Sequence, residues 1–216
     1  MDTKHKEFLM IKLFRTTFAI LFAMLFSVSA WANSSDGSDP KTVIETTVNH
    51  IIEVLEARQD TSKLTSKDRD AIRQSVEGRF DYTAMASRSL GKPWKKLGGV
   101  QQTHFTSVFR ELLERSYGNR LSEYKGQKVI FADAELKGDK ARVESTVIDG
   151  TRETPVEYRL HQTETGWQVY DIRIEGTSMV RTFYQDFKST LDNGGYEYLL
   201  KTLEDKVTKL KEKDND

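Results

Sequence analysis

Residues 166–187, GWQVYDIRIEGTSMVRTFYQDF, change period in the middle. Up to Ile174 apolar and polar side chains alternate. Tyr170, Ile172 and Ile174 fall on one face, and Asp171, Arg173 and Glu175 on the other, which is the signature of a half-buried strand. From Met179 the spacing becomes helical, with Val180, Phe183, Tyr184 and Phe187 on one stripe. Gly176 supplies the turn between them, and Thr177 or Ser178 is placed to accept backbone N–H bonds as a helix cap. Both halves carry more apolar and aromatic surface than a strand-to-helix corner requires.

Upstream of this corner the period-2 pattern continues backwards through four strands, near 127–136, 140–149, 153–164 and 167–176. In the third, Val156, Tyr158 and Leu160 share one face while Glu157, Arg159 and His161 share the other. The junctions KGDK and DGTRE are turn chemistry, so the strands form an antiparallel meander. One apolar face and one polar face predict a sheet covered by helices on a single side. Before Gly126 the chain is helical. Asp39 and Pro40 open a helix to about Arg58, a shorter one covers Ser66 to Val76, and Asp81 and Gly91 bracket a third. KPWKKLGG is a turn-rich linker. After it, Phe105, Val108, Phe109, Leu112, Leu113 and Tyr117 form a continuous apolar stripe. A last helix carries Leu199, Leu203, Val207 and Leu210, and Gly194-Gly195 mark a helix end. The fold class is therefore α+β, with helices on one face of a four-stranded antiparallel meander and no βαβ alternation.

The first 32 residues read as an export signal. Lys4, Lys6, Lys12 and Arg15 precede an apolar run from Phe18 to Val28, and Ala30-Trp31-Ala32 offers a cleavage site. That run is shorter than the ~20 residues of a membrane-spanning helix. Residues 33–39 form a polar leader, residues 40–211 a single domain, and residues 212–216 a charged tail. Without the signal, 29 basic residues face 31 acidic ones, interleaved along the chain. That balance argues against a nucleic-acid partner and against charge-driven adhesion to anionic lipid. There is no cysteine, so disulfides, thiolate metal sites and thiol catalysis are excluded. The periplasm of a double-membraned bacterium is the expected address.

Chemistry is sparse. His50, His104 and His161 show no metal-ligand spacing. There is no GxSxG elbow and no phosphate-loop glycine pattern. Asp171 and Glu175 are the residues an enzyme on this fold would use as an acid/base pair. Alternating charges on the solvent side of a sheet account for them without catalysis. The apolar stripes fit an ordinary filled core, which periodicity favours, and they also fit the wall of a ligand cavity. A receptor for a polar solute is disfavoured, because the strand order does not give two α/β lobes.

FDYTAMASRSLGKPWKKL, then VQQTHFTSVFRELLERSYGNRLSEY, then GWQVYDIRIEGTSMVRTFYQDF, resemble the MlaC family in wording and order, from about Pro40 to Leu210. The strongest phrase is Tyr170-Asp171 followed by Glu175-Gly176 and Ser178, with Gly166-Trp167 before it. NGGYEYLL at 193–200 departs from the family's spacing of two glycines around an aliphatic and a polar residue. The resemblance implies a periplasmic phospholipid carrier without a cofactor, whose hydrophobic cavity holds acyl chains and leaves the headgroup in solvent. It also implies shuttling between an outer-membrane lipoprotein–porin complex and an inner-membrane Mla ABC transporter with its substrate-binding domain subunit, which maintains outer-membrane asymmetry. On apolar phase, the expected lining is Val143, Val147, Tyr158, Leu160, Tyr170 and Ile172 from the sheet. Phe109, Leu113, Tyr117, Met179 and Phe183 are expected from the helices.

Overall fold

The computed structural model describes residues 39–215; the expected export signal, the expected leader up to residue 38 and Asp216 lie outside the described residues. Local signals set most helix ends. In α1 (Pro40–Glu56) the Asp39 carboxylate accepts from Thr42 N at 3.0 Å, with proline at the first helical position. In α2 (Ser66–Val76) Thr65 and Asp68 form a reciprocal capping box. In α3 (Tyr82–Leu90) Asp81 accepts from Ala84 N at 2.7 Å. The expected linker after Gly91 is a short 3-10 helix, Lys92–Lys96, and α4 (Gly99–Leu121) follows. The last helix, α5 (Met179–Asn215), is interrupted at Gly195, whose φ of 74° and ψ of −170° are open essentially to glycine alone. In the charge run at its end, Lys209, Glu212 and Lys213 are exposed. The run stays helical, and the Asp214 side chain is only 6 % exposed.

The sheet is antiparallel throughout, in the order β1 (Lys128–Phe131), β3 (Lys140–Asp149), β4 (Arg152–Thr163), β5 (Gly166–Ile174), β6 (Thr177–Ser178). A short β2 (Glu135–Lys137) also pairs with β3. The expected α+β architecture is present, with six strands among the described residues in place of four. Residues 132–134 split the first expected strand in two. After β5, Glu175 and Gly176, both at positive φ, make a two-residue turn that returns a short strand before α5.

Register decides which side chains face inward. Ala141 lies opposite Leu160, Val143 opposite Tyr158, Ser145 opposite Val156 and Val147 opposite Thr154. Between β4 and β5 the register slips. Arg159 faces Asp171, but Leu160 faces Val169, so Tyr170 is an extra residue, a β-bulge. Alternation therefore changes parity there. Trp167 and Val169 point to the inner face on one side of the bulge, and Ile172 and Ile174 on the other. Tyr170 points away from all four.

Two apolar cores result. One is helical, where Phe105 and Phe109 of α4 pack on Phe183 and Phe187 of α5, with Phe109 and Phe183 ring centroids 5.2 Å apart. In the other, Val43 and Ile44 of α1 cover Val143, Leu160 and Val169 on one end of the sheet. At the far end of the sheet's inner face, Val129, Val147, Val156 and Ile174 belong to neither, and Tyr158 and Ile172 lie at the margin.

Candidate functional site

Between the two cores lies a cavity of about 1070 Å³. Its floor is the inner sheet face left uncovered by α1: Val129, Val147, Val156, Tyr158, Ile172 and Ile174. One wall is the outer half of α1, through Val48, Ile51, Ile52 and Leu55. Ile72 and Val76 of α2 and Leu113, Tyr117 and Leu121 of α4 complete the enclosure, and Phe80 and Met179 also border it. Most of these side chains are neither packed nor on the outer surface. Val48, Ile51, Ile52, Ile72, Val147 and Ile172 are all only half-buried. An aliphatic side chain gains about 1.5–3 kcal/mol from full burial, so this surface is set up to be covered by something apolar.

Polar groups on the wall are mostly neutralised by neighbours. Glu114 accepts from Arg73 Nε at 2.9 Å, from Arg110 Nε at 2.7 Å and from the Tyr82 hydroxyl at 3.3 Å. Burial and the adjacent Glu114 carboxylate push the Tyr82 phenol far above its usual range, so it stays protonated. Burial likewise raises Tyr158 on the floor, against a smaller opposing effect of the Ser145 hydroxyl.

Of the eleven side chains expected from apolar phase, Leu113, Tyr117, Val147, Tyr158, Ile172 and Met179 border the cavity. The other five do not. Phe109 and Phe183 are spent on each other in the helical core, because the apolar stripe of α4 is wide enough to serve two surfaces. Val143 and Leu160 lie fully buried beneath α1. Tyr170 is turned to the opposite face by the bulge. Its ring meets His161 edge-on at 5.4 Å, with the Arg88 guanidinium 4.5 Å from its centroid. Missing from the expectation were Val48, Ile51 and Ile52. Their signal was an α1 stripe running from Ile44 to Leu55, longer than one sheet contact uses.

The candidate acid/base pair is taken apart by the fold. Asp171 is 6 % exposed; its carboxylate accepts from the Ser178 hydroxyl at 2.7 Å and from Val180 N at 3.2 Å, so it fixes the start of α5. Ser178 in turn accepts from Arg181 N at 3.1 Å, and Thr177 is exposed. Glu175 is exposed and 3.5 Å from Arg152. His161 Nε2 lies 2.9 Å from Asp81 and His104 Nε2 lies 2.8 Å from Glu204, both tying helices to neighbours. Among the described residues no group of His, Asp and Glu is placed to hold a metal ion, and no helix is long and apolar enough to cross a membrane.

Comparison with known proteins places this geometry. The family model described as "MlaC protein" matches residues 45–205. A Haemophilus influenzae protein named intermembrane phospholipid transport system binding protein MlaC is 22 % identical over 188 residues, covering 84 % of this chain and 86 % of its own length. A phospholipid-binding protein from Ralstonia solanacearum, solved in complex with a phospholipid, superposes with a TM-score of 0.73 at 24 % identity. That match covers 80 % of this chain and 99 % of the other.

Proposed function

The chain belongs to the MlaC family, and on that footing we propose that it is a phospholipid carrier that holds acyl chains in the cavity between its two cores. The carrying observation is that cavity, with half-buried aliphatic side chains on its floor and walls. A methylene is about the size of a water molecule, whose share of liquid volume is ~30 Å³. The space of about 1070 Å³ is thus of the order needed for two long acyl chains. At about 0.8 kcal/mol per methylene, two chains of roughly 14–16 methylenes represent on the order of 20–25 kcal/mol of hydrophobic transfer. Cargo held on that scale does not leave into water, so loading and unloading need partners that offer an apolar path.

This reading places the protein in the periplasm, exported by its first 32 residues. The partners it calls for are an outer-membrane lipoprotein–porin complex and an inner-membrane ABC transporter with its substrate-binding domain subunit. The Ralstonia and Haemophilus relatives, by name, support a lipid as cargo. A carrier needs no catalytic residue, and the structural duties of Asp171 support a non-enzymatic role. Organic extraction and mass spectrometry of the purified protein test the reading. Stoichiometric phospholipid is the expected result, and persistently empty protein would overturn it.

A further inference from the structure

Phe80-Asp81-Tyr82, at the start of α3, closes one end of the cavity. The other end is open: the exposed Lys125, Asp149, Arg152 and Glu175 border it there. From that mouth the floor runs inward along β4 through Thr154, Val156 and Tyr158. The six residue steps from Arg152 to Tyr158, at about 3.4 Å each, give a floor ~20 Å long. The next inward-facing pair, Leu160 and Val169, is fully buried beneath α1 and does not border the cavity. Phe80 sits at that step. It bridges to Val169, borders the cavity and packs against both apolar cores.

This end is held more firmly than apolar contact requires. The backbone on both sides of Phe80 is tied to one residue of the sheet: Asp81 N donates to Val169 O at 2.9 Å, and Val169 N donates to Arg79 O at 2.8 Å. Asp81 also caps α3 through Ala84 N. The Phe80 ring stacks on Tyr82, with centroids 6.0 Å apart and planes 24° apart. Tyr82 is fixed in turn, with the Arg110 guanidinium 4.8 Å from its centroid and its hydroxyl donating to Glu114. A ring backed by a second ring and a satisfied polar network is a wall, not a flexible plug.

We propose that Phe80, positioned by Tyr82, is the stop that sets the longest acyl chain the cavity can bury. The stop rests on the carrier reading above and adds to it a selection among lipids by chain length, with the headgroup outside at the mouth. A methylene is buried in a bilayer as well as in the cavity, so chains that fit should be taken from vesicles without regard to length. Each methylene that does not fit is left in water, which lowers uptake about fourfold.

The full exported chain, stripped of lipid, is incubated with vesicles holding equal amounts of phosphatidylglycerols whose two identical chains are graded in length. Bound lipid is measured by mass spectrometry. Wild-type protein should take all lengths alike up to a limit, beyond which uptake falls about fourfold per methylene. Phe80→Ala should move the limit to longer chains, by about two carbons once the site has partly collapsed, and Phe80→Trp to shorter ones. A general loss of structure lowers uptake at every length and does not move the limit in opposite directions. Phe80→Leu should also lengthen the limit, and it decides the matter if the alanine variant does not fold. Tyr82→Ala should lengthen the limit, and Tyr82→Phe, which keeps the ring, should restore it. Tyr170→Ala, on the opposite face of the sheet, should leave it. An unchanged limit in the Phe80 variants overturns the stop, as does wild-type uptake that is independent of length; in both cases the carrier reading stands. No bound lipid of any length overturns the carrier reading and the stop with it.

Discussion

At Tyr170 a single extra residue decides which side chains can meet cargo. Strict alternation puts Tyr170, Ile172 and Ile174 together, and the bulge opposite Arg159 and Leu160 separates the first from the other two. Nothing in the local sequence announces it. A bulge is a property of two strands in register, and its signal lies in how β4 and β5 pair, not in either alone. It frees Tyr170 for the Arg88 and His161 contacts and lets Trp167 and Val169 reach the core beneath α1. The structure therefore sets two substitutions two residues apart against each other. Ile172→Trp should fill part of the cavity and cut co-purified phospholipid several-fold in a folded protein. Tyr170→Ala, on the opposite face, should leave the lipid load within error of the wild type while lowering thermal stability. Lipid extraction from both variants checks this; equal loss in both would put Tyr170 back on the cavity wall.

Elements differ in how much of them the sequence makes legible, and the difference is physical. The ends of α1 and α3 were readable from Asp39, Pro40, Asp81 and Gly91, because capping is a contact between near neighbours. The apolar stripe of α4 was readable too. What it packs against was not, since periodicity reports a face and not its covering: Phe109 and Leu113 look alike and both are buried in the helical core, but Leu113 also borders the cavity and Phe109 does not. Helix α2 shows the same limit from the other side. Val76 is its one buried apolar residue, while Arg69 reaches Asp214 and Asn119, and Arg73 reaches Glu114. A helix held over a cavity by ionic contacts and little apolar burial belongs to the low-stability end of a structure. Its amides should exchange with deuterium faster than those of α4. The gap should widen at about 1 M salt, where the screening length falls to ~3 Å and partly exposed pairs such as Arg73–Glu114 weaken. Hydrogen exchange with peptide resolution across residues 66–76 reads this out. Protection in α2 equal to that of α4 at both salt concentrations would mean that packing, not charge, holds it.

For the whole molecule, the division into two cores means that neither closes the space between them. The sheet is covered at one end by α1 and the helices are locked by aromatic packing, so the remaining sheet face is left half-covered. An occupant that binds the folded state alone stabilises it by mass action, by about 2.7 kcal/mol at a hundred times its dissociation constant. For a chain of this size, each kcal/mol moves the melting temperature by roughly 2–4 °C. Loaded protein should therefore melt about 5–10 °C above the same protein stripped of lipid, and adding phospholipid vesicles to the stripped form should restore the higher value. Ile172→Trp should narrow the gap, because it occupies space the chains would fill and shortens the length of chain that can be buried. Differential scanning calorimetry on matched loaded and stripped samples measures both effects. Loaded and stripped wild-type protein melting together, with stoichiometric lipid still present, would place the lipid on the outer surface and leave the cavity without its occupant.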